Sequence, residues 1–140
     1  MYYLKTSASF DSAHFLAGYN GKCANIHGHR WTVEVKIKGE NLQDSGEKRG
    51  MLIDFSDFKK AVKKLADDFD HAFIYEENSL RPETVQALNS ENFRLIEVSF
   101  RPTAENFAHH FYEILSAQGF EINSVTVYET PDNCAVYEVI

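Results

Sequence analysis

CANIHGHRWTVEVKIK, residues Cys23 to Lys38, is the stretch on which the fold turns. Trp31, Val33, Val35 and Ile37 alternate with Thr32, Glu34, Lys36 and Lys38, the period-two pattern of a half-buried strand. Carried back through Gly28, the same period puts His27 and His29 on the face of Trp31 and Val33, so both imidazoles point the same way. Gly28 between them has no side chain, which suits a backbone held close to a neighbouring strand or a ligand.

On the N-terminal side, Tyr2 to Phe15 reads as a second extended segment, which predicts an antiparallel pair and brings His14, near its end, within reach of His27 and His29. On the C-terminal side, the polar stretch ENLQDSGEKRG, Glu40 to Gly50, is the strongest punctuation in the chain. After Asp54, Phe58, Val62, Leu65 and Phe69 recur at helical spacing and predict an amphipathic helix. Pro102 and Thr103 open a second helix, with Thr103 as N-cap, Glu105 in the first turn, and Phe107, Phe111, Ile114 and Leu115 as its buried stripe. Gly119 ends it. A strand over Ser124 to Glu129, a turn at Pro131 to Asn133 and a closing strand over Ala135 to Val139 follow.

The expected fold class is therefore α+β: a four-stranded antiparallel sheet in ββααββ order with two helices packed on one face. Residues 72 to 100 are the least readable, with Phe93 to Phe100 taken as a short buried segment. Repeats, low-complexity tracts and Pro/Ser-rich linkers are absent, which predicts one domain over residues 1–140.

Composition narrows the function classes. At 140 residues the chain can bury a core without disulfide staples, and no apolar run approaches the length of a bilayer span. MYYLKTSASFDSAHFL lacks the basic and apolar regions of an export signal, so the cytoplasm is the expected compartment and Cys23 and Cys134 are expected as free thiols, Cys134 small and packed. A formal charge of −7 argues against nucleic acid or anionic membrane as partners. An anionic ligand then needs a local basic pocket; Lys22 and Arg30 flank the histidine motif, and neither can be assigned to it.

Three neutral imidazoles with an open fourth position are what a catalytic zinc ion requires. Spacing alone leaves a structural role for these histidines equally open. It also leaves open a non-enzymatic, zinc-stabilised binding module in which Cys23 joins His14, His27 and His29 in a closed site. Glu129 shares a strand face with Val125 and Val127 and so points at a largely apolar interior, where a carboxylate needs a partner. Asp70 and His71 can be read as a solvated helix end. His109 and His110 are adjacent on a helix, point in different directions, and are expected to serve at the surface or in packing; Trp31 is expected in the core.

SAHFL, CANIHGH, GMLIDF, DHAFI, PTAEN and YET occur in the order seen in the 6-pyruvoyltetrahydropterin synthase superfamily, and the resemblance runs from about Phe10 to Glu138. The three-residue spacer in CxxxHGH resembles the carboxy-forming branch, which serves queuosine biosynthesis; the pyruvoyl-forming branch, acting on the same substrate, has a longer spacer and stays as the alternative. The resemblance implies the tunnelling fold and a homohexamer with active sites between subunits. It further implies Zn2+ held by His14, His27 and His29, and a proton-transfer group of Cys23, Asp70 and His71. A pterin pocket would then be anchored by Glu129 and lined or supported by Thr103 and Glu105. The implied reaction converts 7,8-dihydroneopterin triphosphate to 6-carboxy-5,6,7,8-tetrahydropterin with release of acetaldehyde and triphosphate. The chemistry fits the residue types: a thiol acts as a base when a metal or imidazolium stabilises its thiolate, and a carboxylate can fix the tautomer and orientation of a histidine.

Overall fold

β1 (Tyr2–His14) and β2 (His27–Gly39) form one long antiparallel ladder running from Tyr2 opposite Gly39 to His14 opposite His27. This computed structural model describes all 140 residues. Along the ladder Phe10 faces Trp31 and Ala8 faces Val33, so one side of the pair is a continuous apolar strip. Phe10 and Trp31 stack with ring centroids 6.0 Å apart. The helix α1 (Phe55–Phe69) packs Phe58, Val62, Leu65 and Phe69 into the core beneath that strip, at the spacing the sequence predicts. Asp54 caps α1 by accepting a hydrogen bond from the Ser56 amide at 2.8 Å.

Beyond α1 the chain builds what sequence reading did not find. β3 (Ala72–Glu76), α2 (Pro82–Ser90) and β4 (Leu95–Val98) make a parallel strand–helix–strand unit inside residues 72 to 100. β3 also pairs in parallel with β1, at Ser12 with Ala72 and Ala13 with Phe73. The chain then enters α3 (Ala104–Ala117), with Thr103 as N-cap accepting from the Asn106 amide at 3.2 Å, and leaves it at Gly119 with φ +97°. β5 (Ile122–Thr130) and β6 (Asn133–Glu138) close the fold as an antiparallel hairpin.

The sheet is therefore six-stranded and mixed, in the order β4-β3-β1-β2-β5-β6, with three helices instead of two. The four-stranded antiparallel expectation holds for β1, β2, β5 and β6 and fails at β3 and β4. AFIYE and LIEV are too short to show a period, and parallel pairing of covered strands removes the polar alternation that would mark them. PETVQALNS buries no residue fully, so α2 lacks a clear apolar stripe.

The core joins Trp31, Val33, Val35, Val125 and Val127 of the sheet to Phe107, Phe111 and Leu115 of α3. Phe107 stands at its centre, fully buried, edge-on to Trp31 at 5.1 Å and stacked on Phe111 at 5.5 Å. Truncating it opens a cavity between rings that cannot collapse together. Phe107→Ala is expected to lower unfolding stability by about 3–5 kcal/mol in a urea titration, and a loss below about 1 kcal/mol would mean the ring is not a keystone of this packing.

Candidate active site

The β1–β2 register places His14 directly opposite His27, and His29 opposite Ser12, so all three imidazoles converge at the end of the apolar strip. Their ring centroids lie 4.6, 5.2 and 4.9 Å apart. Glu129, near the end of β5, completes the group: its Oε1 lies 2.8 Å from His29 Nε2 and 3.6 Å from His14 Nε2. The ligand atoms of the four residues all fall within 4.8 Å of one another, a group that could hold a metal ion.

Hydrogen bonding fixes the state of two rings. Nδ1 of His14 bonds the Pro102 carbonyl at 2.7 Å and Nδ1 of His27 bonds the Asn25 carbonyl at 2.7 Å. A carbonyl only accepts, so each Nδ1 carries the proton, and in the neutral ring Nε2 presents its lone pair to the group. The Nε2 atoms of His14 and His27 are buried without a hydrogen-bond partner inside the chain, and the buried Nε2 of His29 has only the Glu129 carboxylate beside it, at 2.8 Å. Burial lowers the pKa of His14, and lowers that of His29 against the opposing pull of the Glu129 carboxylate. Three imidazoles converging through buried Nε2 atoms beside one carboxylate are a donor set that suits Zn2+ and other borderline divalent ions.

Asp70 and His71 form a second group with Asp11, a residue the sequence reading did not single out. Asp70 is the C-cap of α1; its Oδ1 accepts the Asp11 amide at 2.8 Å and its Oδ2 lies 2.9 Å from His71 Nδ1. The Asp11 amide, foremost, and then His71 hold the Asp70 carboxyl below its ordinary range, so it stays ionised and acts as acceptor. His71 adopts a left-handed conformation with φ +53°, and its amide donates to the Asp11 carbonyl at 2.6 Å. The imidazole is exposed and lines a cavity of about 710 Å³ together with His29 of the first group and with Asp11, Gly28, Arg30 and Arg94.

Cys23 belongs to neither group. It sits half-buried in the single 3-10 turn, Lys22–Ala24, between β1 and β2. Its carbonyl accepts from the Leu16 amide at 2.9 Å, and Arg101 donates to Ala17 at 2.8 Å, tying this loop to the entry of α3. The residue that completes the histidine group is thus Glu129 and not Cys23, against the closed Cys/His site. The clue in the sequence was Glu129 itself, on the inward face of its strand; that this strand neighbours β2 came from the structure.

The other expected residues fall as follows. Glu105 and Glu129 line one pocket of about 430 Å³ with Asn133 and Val136, while Thr103 is an N-cap. Cys134, expected packed, is exposed at the rim of that pocket, because β6 is an edge strand with one neighbour. A Cβ at Gly28 would meet Ser12 O at 3.6 Å, an ordinary contact, so the strand itself does not require glycine there. Arg30 is engaged by the Asp11 carboxylate at 3.1 and 3.3 Å. His109 pairs with Glu113 at 3.1 Å and packs against Tyr137 with the rings tilted, and half-buried His110 packs against Phe100, both as expected. Trp31 is in the core.

The depressed imidazoles carry a pH consequence. With His14 and His29 holding a proton less readily in the folded chain than at the ordinary value of 6.5, the unfolded chain protonates first as pH falls. Metal-free protein is expected to lose stability as pH drops below about 6.5 and to level off once the folded rings are also charged. Thermal melts across that range check it, and His14→Ala is expected to flatten the slope.

The comparisons with known proteins agree with this geometry. The family model described as 6-pyruvoyl tetrahydropterin synthase matches residues 3–139. The chain is similar to proteins named 6-carboxy-5,6,7,8-tetrahydropterin synthase, at 41% identity from Haemophilus influenzae, covering 99% of each chain, and at 34% from Rickettsia felis, covering 91% of this chain and 92% of that one. Among solved structures it is similar to an uncharacterized protein of Wolinella succinogenes, with TM-score 0.82 at 20% identity over 99% of this chain and 98% of that one. It is also similar to the Plasmodium vivax 6-pyruvoyltetrahydropterin synthase, with TM-score 0.68 at 21% identity over 99% and 97%. These likenesses carry the fold. With the family match and the first of these relatives spanning nearly the whole chain, this protein belongs to the 6-pyruvoyl tetrahydropterin synthase family.

Proposed function

We propose that this chain is a 6-carboxy-5,6,7,8-tetrahydropterin synthase, converting 7,8-dihydroneopterin triphosphate to 6-carboxy-5,6,7,8-tetrahydropterin with release of acetaldehyde and triphosphate, in queuosine biosynthesis in the cytoplasm. The observation that carries the reading is the convergence of three buried Nε2 atoms with Glu129, two of them without a hydrogen-bond partner, in a chain 41% identical over its length to a relative of that name.

In this reading His14, His27 and His29 hold Zn2+, with the Pro102 and Asn25 carbonyls orienting two of them from behind. The ion, when bound, supplies Lewis acidity that makes the C–H and O–H groups of the substrate side chain more acidic. Glu129 receives the N3 and 2-amino hydrogens of the pterin ring on its two oxygens, a charge-assisted bidentate match, with Glu105 in the same pocket and Thr103 holding the helix start beneath it. Cys23 moves a proton on one side of the substrate, and His71, oriented by Asp70, on the other. Oxidation of the substrate's side chain balances reduction of its ring, so the reaction is redox-neutral.

Cys23 joins neither group within one chain, which supports a site completed between copies. The sheet has the means: β1 pairs with β3 only at Ser12 and Ala13, leaving its earlier residues as a free edge flanked by Lys59, Lys60 and Lys63. β6, ending at Glu138, is the free edge opposite. We read edge-to-edge assembly into a homohexamer. Cys23→Ala and His71→Ala are each expected to retain metal and fold while turnover falls by about two to four orders of magnitude, the scale of losing a positioned acid–base group. Co-assembling the two inactive variants is expected to restore part of the turnover; no recovery would mean that one subunit supplies both residues to a site, and metal loss from Cys23→Ala would make Cys23 a ligand.

Glu129→Gln separates the two roles its carboxylate could fill. Retained zinc by atomic absorption, with pterin binding weakened at least about tenfold, is the result expected of a ring anchor. Zinc lost with pterin affinity intact would make Glu129 a metal ligand instead.

A further inference from the structure

The end of α1 is built against its own electrostatics. The negative end of a helix dipole disfavours nearby carboxylates, yet Asp67, Asp68 and Asp70 crowd the last turn and C-cap of α1, with no basic residue in that turn. Lys63 and Lys64, one turn earlier, reach Asp67 at 2.6 Å and Asp68 at 2.9 Å, which offsets two of the three charges. Neither lysine touches the helix's open carbonyls. Those are taken by Arg94, which enters from the segment leading into β4. Its Nη1 donates to Asp70 O and Asp67 O, the latter at 3.4 Å, and its Nη2 donates to Asp68 O at 2.5 Å. Its own carbonyl accepts the Phe73 amide at 2.9 Å, anchoring the arginine backbone to β3 two residues beyond His71.

The peptide that Arg94 holds through Asp70 O is the one joining Asp70 to His71. On its other side Asp11 grips the same two residues, donating its amide to Asp70 Oδ1 and accepting the His71 amide. A left-handed histidine at a helix end has little local reason to stay in place. Here the peptide before it is clamped from both sides, by strand backbone and by a guanidinium whose fixed fork spans three carbonyls.

We infer that Arg94 is a positioning residue for the Asp70–His71 pair, setting the direction in which the His71 imidazole enters the 710 Å³ cavity. This rests on the reading of Asp70 and His71 as the proton-transfer pair. Arg94 also lines that cavity, but its guanidinium is engaged by the three carbonyls at the helix end, so it acts through the peptide it holds and not through the reacting atoms.

The test is a double-mutant cycle on zinc-loaded protein with 7,8-dihydroneopterin triphosphate, read by product mass, with zinc content and thermal midpoint measured for every variant. Arg94→Ala is expected to lower kcat by about a hundredfold, the scale of misplacing a reacting group by an ångström, with KM and zinc content nearly unchanged. In the His71→Ala background the same substitution is expected to cost nothing further, because the group it positions is gone. Millimolar guanidinium is expected to restore part of the turnover of Arg94→Ala and none of that of His71→Ala. Arg94→Lys covers the case in which alanine unfolds the helix end: a lysine keeps the cation but cannot span three carbonyls, so a folded Lys variant with reduced kcat carries the same conclusion. Equal losses in both backgrounds would overturn the inference in favour of a general folding role. A raised KM at constant kcat would overturn it in favour of direct substrate contact. Wild-type turnover in His71→Ala alone would remove the proton-transfer reading first, and the inference with it.

Discussion

The rest of the molecule depends on the register of the ladder between β1 and β2. Phe10 against Trp31 and Ala8 against Val33 bury one side of the pair against α1 and α3, and this apolar strip pins the alignment. A slip of one residue would turn every side chain of one strand to the opposite face, exposing Trp31 or burying Arg30, at a cost of many kcal/mol in lost burial alone. The three histidines occupy the last positions of the same strip. The hydrophobic contacts that hold the fold together are thus the ones that hold His14, His27 and His29 within one coordination radius.

That economy leaves polar atoms in a place where polar atoms are costly. His14 is almost fully buried and stacks edge-on to Trp31 at 4.8 Å, yet only its Nδ1 has a directed partner. The buried Nε2 atoms of His14 and His27 depart from the usual rule that buried polar groups are satisfied, and such departures concentrate where a ligand supplies the missing partner. The fold tolerates the cost because it falls at the end of a large core and because burial, which lowers the pKa of His14 and His29, disfavours charge on those two rings.

The second group is held by different forces. Asp70 and His71 lie outside the core, at a helix end where dipole and carboxylates oppose one another, and are fixed by backbone hydrogen bonds from Asp11 and by Arg94. One group is positioned by packing and the other by directed polar contacts. Packing places the histidines beneath the sheet face, while the polar clamp works along the strand edge where backbone donors and acceptors are free, and His29 and His71 still line one cavity.

Much of this was legible in the residues. Alternation in TVEVKIK and the stripe of Phe58, Val62, Leu65 and Phe69 read correctly because amphipathic elements write their period into the chain, and HGH on the inward face marked the histidine cluster before any geometry was available. The unit β3–α2–β4 was not legible, since strands of four and five residues in parallel pairing carry no alternation and α2 buries nothing fully. Nor could residue spacing reveal that Asp11 would grip Asp70, that Arg94 would close the end of α1 from 24 residues away, or that Cys23 would stand apart from both groups. The sequence by itself determined which faces are apolar and which side chains can do chemistry, because both are local properties of residue type and period. Tertiary structure alone decided which of those side chains meet, because contact between distant residues depends on register, strand order and the path of the backbone between them.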